Sequence, residues 1–171
     1  LLTAAALTGC KVNKTGEVTL AEDEVPTDKM EYRTNPKTGD KVSILGYGCM
    51  RWPTMEQEGK TVIDQERVNS LVDYAIGHGV NFFDTAPVYV QGLSEKATGN
   101  ALKRHPRESY FISTKMSNFS NASRENSIMM YENSFKNLQV DYFDYYLLHN
   151  IGGSVGDFNR RFIDNGMLDF L

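Results

Sequence analysis

Three apolar runs in this chain stop on a titratable residue: "FFD" on Asp84, "ISTK" on Lys115 and "YLLH" on His149. Each run is short and rich in aromatic or β-branched residues, the composition of a strand. Each is followed by a stretch with helical spacing. Strands that alternate with helices run parallel, because the crossover between parallel neighbours needs a dozen or more residues. Parallel strands bring their C-terminal ends to one edge. Asp84, Lys115 and His149 are therefore expected on one face of a single sheet.

The units can be read in order. "MEYRT" and "KVSIL" flank "NPKTGD" and predict a β-hairpin. "VSILGYGCM" predicts a first strand ending in glycines. Asp64 then opens a helix with Glu66 in its first turn, where an acid suits the helix dipole. Val68, Leu71, Val72, Ala75 and Ile76 form its apolar face, and "GHG" at 77–79 ends it. "VNFFD" leads to a helix from Ser94 to about Arg104. "YFISTK" leads to one from Ser123, with Ile128, Tyr131, Phe135 and Leu138 on one face. "YFDYYLLH" leads to a helix starting near Asp157. The cycle is about 30–35 residues, the size of a βαβ unit.

Four such units fit a doubly wound sheet or half of an eightfold barrel. "GYGCMR" lacks the third glycine of a G-x-G-x-x-G turn, which disfavours the dinucleotide-binding sheet. Three polar residues at three strand ends fit the active rim of a barrel. The predicted class is α/β, of the (β/α)8 TIM-barrel family, with about the first four β/α units present after the hairpin.

Residues 30–171 are assigned to that half-barrel, and residues 1–29 to a leader remnant and disordered linker. "LLTAAALTGC" resembles the tail of a bacterial lipoprotein signal. That predicts lipid on Cys10, a tether to membrane and a place in the cell envelope. The alternative is a cytoplasmic protein in which Cys10 is incidental. The start at Leu1 and the stop within the apolar "NGMLDFL" read as a fragment. A net charge of −4 gives no basic field for nucleic acid. Cys10, Cys49 and three histidines match no zinc spacing, so no metal is expected within the chain. No disulfide is expected between the two cysteines. His78 reads as a cation at a helix C-terminus, and His105, before Pro106, as loop surface.

Taken singly, Asp84 reads as a turn former, Lys115 as a solvated lysine and His149 as a core histidine. Taken together, with Tyr89 five residues after Asp84, they read as a set for moving a proton to a carbonyl oxygen. Free tyrosine is a poor acid at neutral pH, with a pKa of about 10. A neighbouring ammonium stabilises the phenolate, and a carboxylate keeps that ammonium charged. The lysine nitrogen is therefore expected near both the Asp84 carboxylate and the Tyr89 hydroxyl. A histidine can direct the substrate oxygen. None of the four can supply hydride, so a reduction needs a nicotinamide cofactor.

"GVNFFDTAPVYVQGLSEKATGNAL", "FISTK", "LQVDYFDYYLLHN" and "LGYGCMRWP" resemble the corresponding segments of the aldo-keto reductase superfamily, from about Met30 to Leu171. The resemblance implies a catalytic tetrad of Asp84, Tyr89, Lys115 and His149, with Tyr89 as general acid and base. It implies reduction of aldehydes or ketones with NADPH, NADH being the less common choice, and no metal. Gly48, Cys49, Met50, Arg51 and Asp84 match positions that line the nicotinamide end of the cofactor. "GCMRWP" and the export-like start resemble a bacterial subgroup that often carries an iron–sulfur cluster near its C-terminus, a region not in this chain. The alternatives on such a barrel are cofactor sensing, as in potassium-channel β subunits, or a fragment that is inactive without its C-terminal half.

Overall fold

The computed structural model describes residues 11–12, 18–19, 25–151 and 153–171. Cys10 and the rest of the leader lie outside the described residues, so the lipid and envelope expectations do too. In the linker, strands β1 (Lys11–Val12) and β2 (Val18–Thr19) pair antiparallel, where no regular structure was expected.

The hairpin forms as β3 (Tyr32–Thr34) and β4 (Lys41–Ser43). The run "VSILGYGCM" does not form one strand. The chain bends at Ile44 and Leu45, and the next strand, β5, is only Tyr47–Gly48. Ser43 Oγ donates to Leu45 O at 2.8 Å, a local bond that competes with continued pairing. A second hairpin went unread in the sequence. It joins β6 (Thr54–Gln57) and β7 (Lys60–Ile63). Glu58 and Gly59 take φ of 52° and 73°, the left-handed pair of a two-residue turn. Its strands are mostly exposed, so they show no apolar alternation to read.

Helix α1 (Gln65–Gly77) is capped by Asp64, which accepts from Arg67 N at 3.0 Å. Val68, Val72 and Ala75 are its buried stripe. Strand β8 (Phe82–Asp84), helix α2 (Ser94–Leu102), strand β9 (Phe111–Met116) and helix α3 (Arg124–Leu138) follow in order. Ser123 caps α3 by accepting from Asn126 N. Strand β10 (Tyr145–Leu148) leads to α4 (Val155–Phe158), a π-helical turn at Asn159–Ile163 and α5 (Met167–Phe170). The α2–α3 contact is close: a Cβ on Gly99 would stand 2.6 Å from the carbonyl oxygens of Asn137 and Leu138.

Strands β5, β8, β9 and β10 form one parallel sheet in sequential order. A doubly wound sheet reverses its order at a switch point; sequential order is that of a barrel wall. One face packs on the helices through Phe83, Ile112, Val72, Ala101 and Leu102, all buried. The hairpin β3–β4 lies at the N-terminal ends of the strands. There Asn81, just before β8, donates to Lys41 O at 2.9 Å, and Tyr145, first in β10, donates to Asp40 Oδ2 at 2.7 Å. His78 ends α1 as expected, with Nδ1 2.7 Å from Tyr74 O. His105 lies in the expected loop and is partly buried there, 2.7 Å from Asp73, which also takes Arg104 at 2.6 Å. Asp73 sits on the flank of α1 that faces the end of α2, so the carboxylate meets both side chains there.

Candidate active site

Side chains alternate across a sheet, so every second residue of a strand shares a face. On β9 the even-numbered Ile112 packs in the core and Thr114 donates to buried Glu95 of α2 at 2.7 Å. Ser113 and Lys115 therefore face the other way, into the barrel. On β8 Phe83 is in the helix-side core, which turns Asp84 inward. On β10 Tyr146 and Leu148 pack toward the helices, which turns Leu147 inward and His149 after it. The register sets the heights. Asp84 is level with Ser113, and Leu148 with Met116, so Lys115 stands one step above Asp84, and His149 is level with Ser117.

The geometry follows. Lys115 is 8% exposed, and its Nζ donates to Asp84 Oδ2 at 2.5 Å and to Thr85 O at 2.7 Å. Tyr89 arrives from the loop after β8, and the Lys115 ammonium lies 4.9 Å from its ring centre. The structure thus meets the expectation for Asp84 directly. For Tyr89 the contact is with the ring, and no hydrogen bond joins Nζ to the hydroxyl. The His149 ring stands edge-on to Tyr89 at 5.5 Å and to Phe119 at 5.1 Å. Its Nδ1 is 2.6 Å from Ser117 Oγ. Burial, then the cations of Lys115 and Arg161, hold the imidazole below its ordinary value of 6.5, against the opposing pull of Asp84. Tyr89, Asp84, Lys115 and His149 are thus brought to one rim.

That rim is braced. Ser94 Oγ donates to Cys49 O at 2.7 Å and lies 2.8 Å from Thr85 Oγ1. With the Ser94 proton so placed, Thr85 is the donor of the second bond. The loop after β8, the start of α2 and the end of β5 are linked through these two hydroxyls. Trp52 Nε1 donates to Thr98 Oγ1 at 2.9 Å and ties the turn after β5 to α2. Val90 and Gln91, beside Tyr89, adopt φ of 48° and 54°. Left-handed backbone in two consecutive non-glycine residues carries strain, and here the braces on either side hold it.

The residues expected to line a cofactor divide in two. Gly48, Met50 and Arg51 are exposed at the end of β5, and a Cβ on Gly48 would meet no atom within 4 Å. Cys49 is fully buried, and burial pushes its thiol up to about 12. It stays a protonated packing group, and only its carbonyl, held by Ser94, takes part in the rim. Open backbone at Gly48 with the Arg51 cation beside it fits one end of a nucleotide cofactor. Among the described residues no three His, Cys, Asp or Glu side chains group as metal ligands. No helix of the described residues is long and apolar enough to cross a membrane.

Three polar residues at the rim were not singled out from sequence. Ser117 and Asn118 follow β9 and are buried, and Arg161 comes from the π-helical turn with 1% exposure. Ser and Asn after a strand read as a loop. "RR" at 160–161 carries no sign of which arginine turns inward.

The model of the aldo/keto reductase family matches residues 44–167. A probable aldo-keto reductase of Glycine max is 38% identical over 134 residues, 68% of this chain and 35% of that protein. A probable voltage-gated potassium channel subunit beta of Arabidopsis thaliana is 33% identical over 134 residues, 74% of this chain and 39% of that protein. An aldo-keto reductase from Bacillus halodurans in its holo form superposes with a TM-score of 0.63 at 30% identity, over 80% of this chain and 45% of that one. One from Klebsiella pneumoniae in complex with NADPH gives 0.58 at 26%, over 73% and 41%. The chain thus spans well under half the length of the curated relatives it matches. With a sequential parallel sheet, a polar rim at its C-terminal edge and a family match over most of its length, the chain belongs to the aldo/keto reductase family.

Proposed function

We propose that the protein containing this chain reduces an aldehyde or ketone to the alcohol, with NADPH as cofactor and NADH as the less favoured choice. The observation that carries this is the Lys115 ammonium, held by Asp84 at 2.5 Å and placed over the Tyr89 ring. NADPH is favoured by likeness to the Klebsiella protein bound to it. Gly48, Met50, Arg51 and Asp84 would hold the nicotinamide end, which supplies hydride to the carbonyl carbon. The chain's own residues handle the oxygen. Tyr89 gives its hydroxyl proton to the carbonyl oxygen as negative charge grows there. Lys115 stabilises the phenolate left behind, and Asp84 fixes the lysine in place through their ion pair. His149 directs the oxygen by a hydrogen bond. A proton from solvent then restores the Tyr89 hydroxyl.

The second reading is a cofactor-sensing protein that turns over slowly, favoured by the likeness to a potassium channel subunit beta. One experiment separates the two. Full-length protein loaded with NADPH is mixed with a simple aldehyde, and loss of reduced nicotinamide is followed in a single turnover. Oxidation of the bound cofactor within seconds supports the reductase. A bound cofactor that stays reduced for many minutes supports sensing.

A further inference from the structure

Ser117 stands two residues beyond Lys115 and points to the same side of the sheet. Its hydroxyl lies 2.6 Å from His149 Nδ1 and 3.3 Å from the Lys115 carbonyl. A hydroxyl has one proton to donate. The usual range for a hydroxyl donor is about 2.5–3.0 Å, so the carbonyl contact is weak and the Nδ1 contact is strong. The shorter contact is taken as the donated one, with His149 Nδ1 as its acceptor. A neutral imidazole that accepts at Nδ1 carries its own proton on Nε2. Among the described residues Nε2 has no hydrogen-bond partner.

The backbone under that ring is held from the other side. Arg161 donates from Nη2 to His149 O at 2.7 Å, from Nη1 to Asn150 O at 2.9 Å and from Nε to Asn118 Oδ1 at 3.2 Å. Its guanidinium lies between Phe119 and Phe162, at 4.5 and 4.6 Å from their ring centres. The two carbonyls are those just past the end of β10, where the strand ladder stops and Asn150 turns left-handed at φ 53°. A guanidinium does not lose its charge at any ordinary pH, so a permanent cation stands behind His149. That cation opposes protonation of the ring and keeps it a neutral donor.

We propose that Ser117 and Arg161 are positioning residues for His149: the serine hydroxyl selects the tautomer that presents Nε2–H to the substrate oxygen, and the arginine locks the strand end that carries the ring. The role of His149 itself rests on the function proposed above. The tautomer can be read without any turnover, which separates the two ideas.

The test uses full-length protein with ¹⁵N-labelled histidine. NMR of the parent should show His149 protonated at Nε2 with Nδ1 as acceptor. Ser117→Ala should lose that single form and mix the tautomers. It should lower kcat by roughly 10–100-fold, taking as a guide the range for hydrogen-bond partners that orient metal-ligating histidines, with NADPH affinity unchanged. Arg161→Lys keeps a charge but loses the fork, and should lower kcat while His149 still resists protonation. A parent His149 protonated at Nδ1 overturns the proposal. So does Ser117→Ala with kcat within about twofold of the parent, or with kcat and NADPH affinity falling together. Should Arg161→Lys fail to fold, the Ser117 arm decides alone. If Tyr89→Phe keeps full turnover while His149 remains in the Nε2–H form, the proposed reaction fails and the tautomer assignment stands.

Discussion

The two ends of one sheet are built differently. At the N-terminal end, polar groups pair with one another across the hairpin. Tyr32 donates to Gly79 O at 2.9 Å, Ser43 N to Asn81 Oδ1 at 2.8 Å and Tyr145 to Asp40 at 2.7 Å. Gly79 takes φ +86°, the left-handed region that glycine enters without strain, so the turn there is relaxed. At the C-terminal end, the pairs stop short. Lys115 is satisfied by Asp84 and Thr85, yet among the described residues the Tyr89 hydroxyl and His149 Nε2 have no hydrogen-bond partner, and Val90 and Gln91 are held in strained backbone. The hydrogen bonds of the lower end contribute stability. The upper end leaves two directed groups unmatched, and unmatched groups are what a substrate oxygen can meet.

That contrast can be broken at either end. The largest effect should come from Tyr89→Phe. It removes one hydroxyl from the rim and should lower turnover of the full-length protein by about 10²–10⁴. Its melting temperature should hardly move, since the ring still packs against His149. A large fall in melting temperature would show that the rim also carries stability and that the contrast is false.

Gly79→Ala should do the reverse. Its Cβ would stand 2.7 Å from Met30 Cβ and 2.8 Å from the Tyr32 hydroxyl, in a backbone that alanine rarely adopts. Overpacking and left-handed strain together should cost about 2–3 kcal/mol in chemical denaturation. The kcat of the folded fraction should stay near that of the parent. Loss of kcat in fully folded protein would mean that the two ends are coupled.

Gln91→Gly should sharpen the comparison. Gln91 is exposed, so little packing is lost, and relief at φ 54° should stabilise the protein by about 1 kcal/mol. If the strain helps to place Tyr89, kcat should drop modestly as stability rises. Unchanged stability would show that the neighbouring braces already absorb the strain.

The smallest effect concerns pH. His149 is held below its ordinary value of 6.5 by burial and by Lys115 and Arg161. Below 6.5 the unfolded chain takes a proton that the folded chain resists. The unfolded state then binds more protons, so stability rises with pH in that window. The contribution is complete above 6.5 and is lost as pH falls toward the folded value. Melting curves at about pH 7.5 and 5.5 should differ more for the parent than for His149→Asn. An equal pH response in both would remove His149 as a cause.

The strand-end residues were legible because a short apolar run stopping on a charge is a local pattern. Asp84, Lys115 and His149 needed only the parallel-strand rule to be placed together, and the sheet bears that placement out. Caps at Asp64 and Ser123 were legible for the same reason, being bonds across three residues. The hairpin β6–β7 was not, since exposed strands carry no apolar period. The pairing of His105 with Asp73 went unread because the two lie 32 residues apart, and distance along the chain hides such pairs.

Local order and periodicity determined the strands, the helices, their parallel sense and the residues at the strand ends. Tertiary structure alone decided which way each polar group turned once there. Arg160 and Arg161 are neighbours in sequence, yet Arg160 is exposed and bonds Asp157 at 2.6 Å, while Arg161 is buried under His149. Both lie in the helical turn Asn159–Ile163, where successive side chains point in different directions. The same holds for Ser117, an ordinary serine after a strand until register brings it level with His149. A buried polar group is stable only where partners meet it, and those partners come from strands and helices 32 to 43 residues apart.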